Sequence, residues 1–169
     1  MKKAKDKVVA DPCQLAGICD QLRNGGGKKV VLTTGAFDLL HEGHLRYLEE
    51  ARSYGDVLVV GINDDNFVKN LKGQERPIID ENARAFMIAG FGCVDYVHIF
   101  GDRLEIVRAV RPNVFVMFAQ SHCKPHEGDR PEQQHIVREN GGEVIILDEP
   151  MSRRYTTTSI IKKLKGGAI

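Results

Sequence analysis

Residues 56–62 read DVLVVGI, an almost unbroken apolar run. A strand with one face in water alternates apolar and polar side chains; a run that is apolar at nearly every position belongs to a strand covered on both faces. Four more short runs rich in β-branched residues follow the same reading: KKVVLTT (28–34), VDYVHIF (94–100), NVFVMF (113–118) and EVIILD (143–148). Helical spacing fills the intervals. Leu45, Leu48 and Ala51 share one face of a helix that begins near Gly43 and stops at Gly55. DDNFVKNL is a short helix, and Asp80 caps another that runs through Phe91 with Phe86 and Met87 turned inward. DRLEIVRAV closes at Pro112, PEQQHIVREN ends at Gly141-Gly142, and TTTSIIKKLKG supplies the last helix. Strand and helix alternate throughout. The expected fold is therefore α/β, a Rossmann-like parallel five-stranded sheet with helices on both faces, joined by right-handed crossovers. Such a sheet binds its ligand beyond the carboxyl ends of the strands, where strand order reverses.

The 169 residues suffice for one domain with its own core. Asp11-Pro12 reads as an N-cap with proline in the first helical position, followed by Leu15, Ile18 and Leu22 and a stop at Asn24–Gly27. The expectation is a single domain over 1–169 whose residues 1–27 form an N-terminal helical arm, with MKKAKDK a solvated, partly disordered tail. A net charge of +1 argues against a surface built for nucleic acid or an anionic membrane. No apolar run approaches the ~20 residues of a membrane span, and no signal peptide is visible. Cys13, Cys19, Cys93 and Cys123 form no CxxC pair and no regular framework, which fits reduced thiols and a cytoplasmic location.

The first strand runs into TTGAFDLLHEGHLRYLEEAR (33–52). A helix start exposes unpaired N–H groups and the positive end of its dipole, and so attracts anions. Gly43 lets a phosphate approach the backbone, Gly35 permits a tight turn at the strand end, and Asp38 can hold the loop by accepting backbone hydrogen bonds. His41 and His44 lie three residues apart, about one helical turn, so both imidazoles can face one anion. Two plainer readings are weaker. The histidines can be capping or surface residues, or they can ligate zinc; but HxxH lacks the glutamate of HExxH and has no third ligand nearby.

GAFDLLHEGH resembles the signature of the nucleotidyltransferase superfamily of cytidylyltransferase type, with its HxGH motif. The resemblance extends through LKGQERPI, VDYVHIF, RPNVFV, GGEVIIL and YTTTSIIKKL, from about Leu15 to Lys165. Within the superfamily the pattern is most similar to the adenylyltransferases that make ADP-heptose from D-glycero-β-D-manno-heptose 1-phosphate. The resemblance implies a catalytic set of His41, His44 and Lys72, with Lys72 as the mobile lysine that contacts the phosphates. It implies nucleotide contacts from Thr34, Gly35, Ala36, Phe37, His41, Gly43 and His44, and further ones from Arg84, Gln120, Tyr155, Thr156 and Thr157. Asp38, Lys72 and Arg76 are the implied substrate-binding residues.

Each has an ordinary alternative. Lys72 can be a solvated lysine like Lys69; Arg84, inside a helix, can simply pair with a carboxylate; Thr157 or Thr158 can be no more than an N-cap; Arg153 and Arg154 can be a solvated pair. His122, Cys123, His126 and Asp129 invite a metal reading, but their spacing matches no zinc pattern and a polar loop is the better account. One departure stands out. The heptose enzymes carry KGGDY after the fourth strand and related cytidylyltransferases MGDDW, where this chain has Met117-Phe118-Ala119-Gln120-Ser121.

The implied reaction is ATP plus a sugar 1-phosphate giving an ADP-sugar and pyrophosphate, with Mg²⁺ accompanying the ATP and no protein metal site. The resemblance also implies a homodimer. A CTP-dependent cytidylyltransferase acting on glycerol 3-phosphate or a related polyol phosphate is the second reading. A catalytically idle nucleotide-binding regulator is the third, and a nucleotide panel separates them.

Overall fold

The five apolar runs become five strands, and every pairing is parallel. The computed structural model describes residues 2–118, 129–147 and 156–166. The strands are β1 (Val30–Gly35), β2 (Val57–Asn63), β3 (Tyr96–Phe100), β4 (Val114–Phe118) and β5 (Glu143–Leu147), arranged β3-β2-β1-β4-β5. The helices are α1 (Pro12–Asp20), α2 (Glu42–Ser53), α3 (Asp65–Lys72), α4 (Glu81–Ala89), α5 (Arg103–Val110), α6 (Asp129–Glu139) and α7 (Thr157–Leu164). The sheet grows from β1 outward to β3, and the chain then crosses back to lay β4 and β5 on the other side. Strand order reverses between β1 and β4, which places a crevice beyond their carboxyl ends. This is the Rossmann-like sheet that the alternation predicts.

Period-two alternation divides the core into two layers. Val31 faces Leu48 and Ala51 of α2 and Ala85, Ile88 and Ala89 of α4. Val30 and Leu32 face the opposite layer, with Leu15 and Cys19 of α1, Ile106, Val107 and Val110 of α5, and Val137 of α6. All seven residues of β2 are buried, as its composition requires. Gly61 lies mid-strand because a Cβ there would stand 2.5 Å from Ile106 Cδ1 and 2.8 Å from Phe100 Cε1. Glycine lets α5 close onto the sheet at that point.

Three expectations are corrected. The N-terminal tail is solvated at Lys2, Lys3, Lys5 and Asp6 but is anchored at its end. Lys7 is buried, and its ammonium donates to the carbonyls of Phe91 (3.0 Å) and Val94 (2.7 Å), just past the end of α4. Val9 N–H donates to Val97 O (2.9 Å) and Val97 N–H to Lys7 O (2.9 Å), so residues 7–9 form a strand stub that covers the β3 edge. His98 meets the same stub, its Nδ1 2.8 Å from Val9 O. The basic composition of 2–7 conceals this, because one of its lysines caps a helix end.

Secondly, Phe86 and Met87 point outward, 55 % and 43 % exposed. Helix α4 buries Arg84, Ala85, Ile88 and Ala89 instead. Small alanines bring the helix close to the sheet, and a buried guanidinium takes the position that apolar size alone assigns to Phe86. Thirdly, Leu45 is exposed, and α2 turns Gly43, Tyr47, Leu48 and Ala51 inward. Tyr47 faces inward because its hydroxyl has partners there: it lies 2.6 Å from Thr33 Oγ1 and donates to Val116 O at 3.1 Å, tying α2 to β1 and β4. Cys13, Cys19 and Cys93 are free thiols, and burial pushes Cys19 up to about 11.

Replacing Lys7 by Met leaves two carbonyl acceptors without their donor. The expected cost is about 1–3 kcal/mol in urea denaturation, and an unchanged midpoint would show that the stub is not part of the fold.

Candidate active site

β1 ends in a turn that only an unusual backbone can make. Phe37 has φ 47°, the left-handed region. An aromatic residue there costs about 1–3 kcal/mol and persists only where its surroundings hold it. Its ring is buried and lies over Gly35, where a Cβ would come within 2.8 Å of Phe37 Cε2. The ring centroid stands 5.4 Å from that of His44. Gly35 thus admits the Phe37 ring, which in turn backs His44.

His41 is the N-cap of α2, its Nδ1 accepting from Gly43 N–H at 3.2 Å. His44 reaches back, its Nδ1 accepting from His41 N–H at 3.3 Å. The two rings stack with centroids 3.9 Å apart. An imidazole nitrogen that accepts carries no proton, so the network assigns both rings as neutral Nε2–H tautomers. Burial, the neighbouring His41 and the Lys72 ammonium hold His44 down at about 3; burial also lowers His41. Both histidines are therefore uncharged donors near neutral pH. The capping alternative is what the structure shows: Nδ1 of each ring caps, and Nε2–H takes no part in the cap.

Two buried ion pairs fix the loops around this helix start. Arg84 is fully buried; its Nε donates to Ile79 O (2.9 Å), Nη1 to Ala36 O, and Nη2 to Asn63 O (2.8 Å) and Asp65 Oδ1 (2.7 Å). It joins the turn after β1, the end of β2, the start of α3 and the segment before α4. Every nitrogen of the Arg84 guanidinium is engaged on the protein, so the carboxylate pairing open to it in the sequence is what the structure shows. Asp38 is likewise committed. Its Oδ2 accepts from Arg76 Nε at 2.6 Å, and its Oδ1 from the N–H groups of Ile78 (2.8 Å) and Ile79 (3.0 Å). Its backbone partners lie in the segment before α4 and not in its own loop, and both its oxygens are engaged on a fully buried side chain.

Lys72 is the last residue of α3 and is exposed, close enough to His44 to depress its pKa. Thr156 caps α7, accepting from Ser159 N–H at 3.0 Å while Ser159 Oγ accepts from Thr156 N–H at 2.9 Å. Thr157 Oγ1 approaches Leu39 O at 3.4 Å, so the start of α7 lies beside the loop that leads into α2. Thr34 and Ala36 are half-buried in the turn, and Gly43 is buried in the first turn of α2. The structure thus gathers His41, His44, Lys72 and the N-termini of α2 and α7 at the β1 end of the sheet. Gln120, Tyr155, Arg153, Arg154 and the cluster His122–His126 lie outside the described residues. Among the described residues, no three His, Cys, Asp or Glu side chains are grouped to hold a metal ion. No helix among them is long and apolar enough to cross a membrane.

The sequence gives no sign of Asp65 as the partner of Arg84, of Asn63 as its carbonyl acceptor, or of the Thr33–Tyr47 contact. Each pair is joined only by the fold.

Two measurements follow. Removing Arg84 (Arg84→Ala) leaves Asp65 and three carbonyls without their donor, with an expected loss of about 3–5 kcal/mol in chemical denaturation. For His44, the folded pKa lies below the ordinary 6.5, so the unfolded chain takes the proton first. Its contribution is complete above about pH 6.5 and is lost as pH falls toward 3. Between pH 7 and 5 the wild type is expected to lose about 2 kcal/mol more than His44→Gln, read from urea midpoints; equal slopes would show that His44 titrates normally.

Comparison with known proteins agrees with this geometry. The cytidylyltransferase-like family model matches residues 32–163. "Bifunctional protein HldE" of Geobacter metallireducens is 41% identical over 152 residues, 89% of this chain and 29% of that protein. The Helicobacter pylori J99 protein of the same name is 39% identical over 140 residues, 82% of this chain and 28% of that one. The chain therefore spans under a third of the length of these curated relatives. Among solved structures, a lipopolysaccharide core biosynthesis protein from Thermoplasma volcanium is 30% identical with a TM-score of 0.60, covering 73% of this chain and 98% of that one. A pantoate-β-alanine ligase from Francisella tularensis, 15% identical with a TM-score of 0.56 over 94% of this chain and 76% of that one, shares the fold alone. By the family match and the histidine-capped helix that lies within it, the chain belongs to the cytidylyltransferase-like family of nucleotidyltransferases.

Proposed function

We propose that the protein transfers AMP from ATP to a sugar 1-phosphate, with a heptose 1-phosphate as the acceptor, giving an ADP-sugar and pyrophosphate. The carrying observation is the stacked, neutral histidine pair at the N-terminus of α2, with Lys72 nearby. An acceptor phosphate oxygen attacks the α-phosphorus; the new P–O bond forms as the bond from the α-phosphorus to the bridging oxygen breaks, and the electron pair leaves with pyrophosphate. The nucleophile is already an anion, so no general base is needed. The chain's task is positioning and stabilising charge.

In this reading His41 and His44 donate Nε2–H to phosphate oxygens as charge develops. Because they are neutral, they supply direction rather than charge. Lys72 and the helix starts of α2 and α7, with Thr156 and Thr157, supply the positive potential toward the departing pyrophosphate. Mg²⁺ comes with the triphosphate as part of the substrate, and Phe37 and Gly35 keep the turn in shape. The choice of ATP and a heptose phosphate is supported by the HldE relatives and by the lipopolysaccharide-related neighbour. The family's cytidylyltransferase-like description supports the CTP and polyol phosphate reading as the second choice.

The test is pyrophosphate release with Mg²⁺, crossing ATP, CTP, GTP and UTP against heptose 1-phosphate and glycerol 3-phosphate. The expected outcome is release with ATP and the heptose phosphate, with kcat reduced about 10²–10³-fold in His44→Ala. Release with CTP and glycerol 3-phosphate alone would replace the substrates and keep the mechanism. Nucleotide binding without release in any pair would identify an idle binding protein.

A further inference from the structure

The sheet opens at one rung. β1 and β4 are paired at Val31–Val114, Leu32–Phe115 and Thr33–Val116. Past Thr33–Val116 the two strands part: β1 runs on to Gly35 against β2, and β4 runs on to Phe118 against β5. The crevice at the reversal of strand order therefore begins at that rung. Tyr47 of α2 sets its hydroxyl there, 2.6 Å from Thr33 Oγ1 and donating to Val116 O at 3.1 Å.

The hydrogens of this bridge have one arrangement. A carbonyl only accepts, so the phenol hydrogen goes to Val116 O, and the Thr33 hydroxyl must donate to Tyr47 Oη. Thr33 is fully buried and Tyr47 is 8% exposed, so water has little access to either hydroxyl. A hydrogen bond is stronger in such a low-dielectric setting, and it is directional. The Tyr47 ring also meets Phe118, the last residue of β4, edge-on with centroids 5.9 Å apart.

The place of Tyr47 along α2 gives the bridge its consequence. It stands three residues after His44, so the two are neighbours on the helix surface. The caps made by His41 and His44 lie within the first turn of α2; they order the rings relative to the helix and not the helix relative to the sheet. Leu48 and Ala51 hold α2 on the sheet by apolar contact, which resists separation more than sliding or rotation. Crossing angles set by such packing scatter by about 15–20°. Phe37 backs His44 by contact as well. The Tyr47 hydroxyl adds fixed direction, toward both strands at the point where they part.

We propose that Tyr47 is a positioning residue for nucleotidyl transfer: its hydroxyl, held between Thr33 and Val116, fixes the setting of α2 on the sheet and so fixes where His44 presents its Nε2–H. It acts through His44 and touches no substrate. This rests on the transfer reaction proposed above, and not on which nucleotide or acceptor is used. A misplaced donor costs rate more than affinity, because its hydrogen bond matters most as charge develops on the phosphate.

The test is a double-mutant cycle on pyrophosphate release with Mg²⁺, using the substrate pair that the wild type accepts. The proteins are wild type, Tyr47→Phe, His44→Ala and the double variant. Tyr47→Phe keeps the ring and removes the bridge. Rates are normalised to the folded fraction from circular dichroism, and Lys7→Met, at the β3 edge, controls for lost stability alone. In Tyr47→Phe, kcat is expected to fall about tenfold while KM for both substrates stays within about twofold. In the His44→Ala background the same change lowers kcat by less than about threefold, because the group being positioned is gone. Thr33→Val removes the other arm of the bridge, with an expected loss of about threefold in kcat, and carries the test where Tyr47→Phe fails to fold. A folded Tyr47→Phe with unchanged kcat overturns the proposal. An equal tenfold loss in both backgrounds does so too, since the bridge would then act independently of His44. A raised KM at constant kcat would make Tyr47 a binding residue instead. A wild type that releases no pyrophosphate with any pair defeats the transfer reading and the positioning role with it, whereas an active wild type with an indifferent Tyr47→Phe defeats the positioning role alone.

Discussion

Ile79 is the residue on which the geometry of the loops around α2 depends. Its N–H is bound by Asp38 and its carbonyl by Arg84. Through it, two buried ion pairs that share no atom become one brace. Arg84 reaches back to Ala36 and Asn63 at the ends of β1 and β2, and Asp38 reaches forward to Arg76 and Ile78. Buried ion pairs are weak devices for raising stability, since desolvation cancels most of their attraction. Their value here is geometric. Sheet and helices can be packed by apolar area alone, but apolar contact does not specify how a loop rich in polar backbone sits over a strand end. Hydrogen bonds with fixed directions do.

The same economy of groups recurs at the histidine pair. A helix start needs acceptors for its first N–H groups, and a phosphate site needs donors. Serine or threonine can cap, yet a hydroxyl that accepts from the backbone has its lone hydrogen close by. Imidazole separates the functions across its ring: Nδ1 faces the backbone and Nε2–H lies on the far side. Capping also fixes the tautomer, so the donor is always present. Burial keeps His44 neutral, and the nearby Lys72 ammonium reinforces that effect. In the proposed transfer the positive charge is left to Lys72 and to helix ends, and no proton is forced onto the ring.

How much of this was legible in the sequence follows from the range of each interaction. The strands were readable because β-branched runs declare themselves within six or seven residues, and β2 announces its two-sided burial by composition. The caps at Asp11 and Asp80 were accessible for the same reason, since an N-cap and its N–H lie within three residues. His41 and His44 belong to this local class. What could not be read were partners set by topology: Arg84 with Asp65, Asp38 with Arg76, Lys7 with the end of α4. Nothing in the residues between them specifies the meeting. Phe86 and Met87 failed for a related reason: the inward positions of α4 go to Arg84 and two alanines because of what lies beneath them, and apolar size is blind to that.

The net charge of +1 is uninformative about the binding of a small anion. Recognition of a phosphate depends on the potential within a few ångströms, because salt screens exposed charges beyond about 8–10 Å. Lys72, Arg76 and Lys165 line one small cleft, while compensating acids elsewhere bring the total near zero. Glu75 beside Lys165 does not cancel this arrangement. An exposed pair is worth at most about 1 kcal/mol. The total hides such local groupings, because it weights Glu75 and Arg76 alike although one is exposed and the other nearly buried.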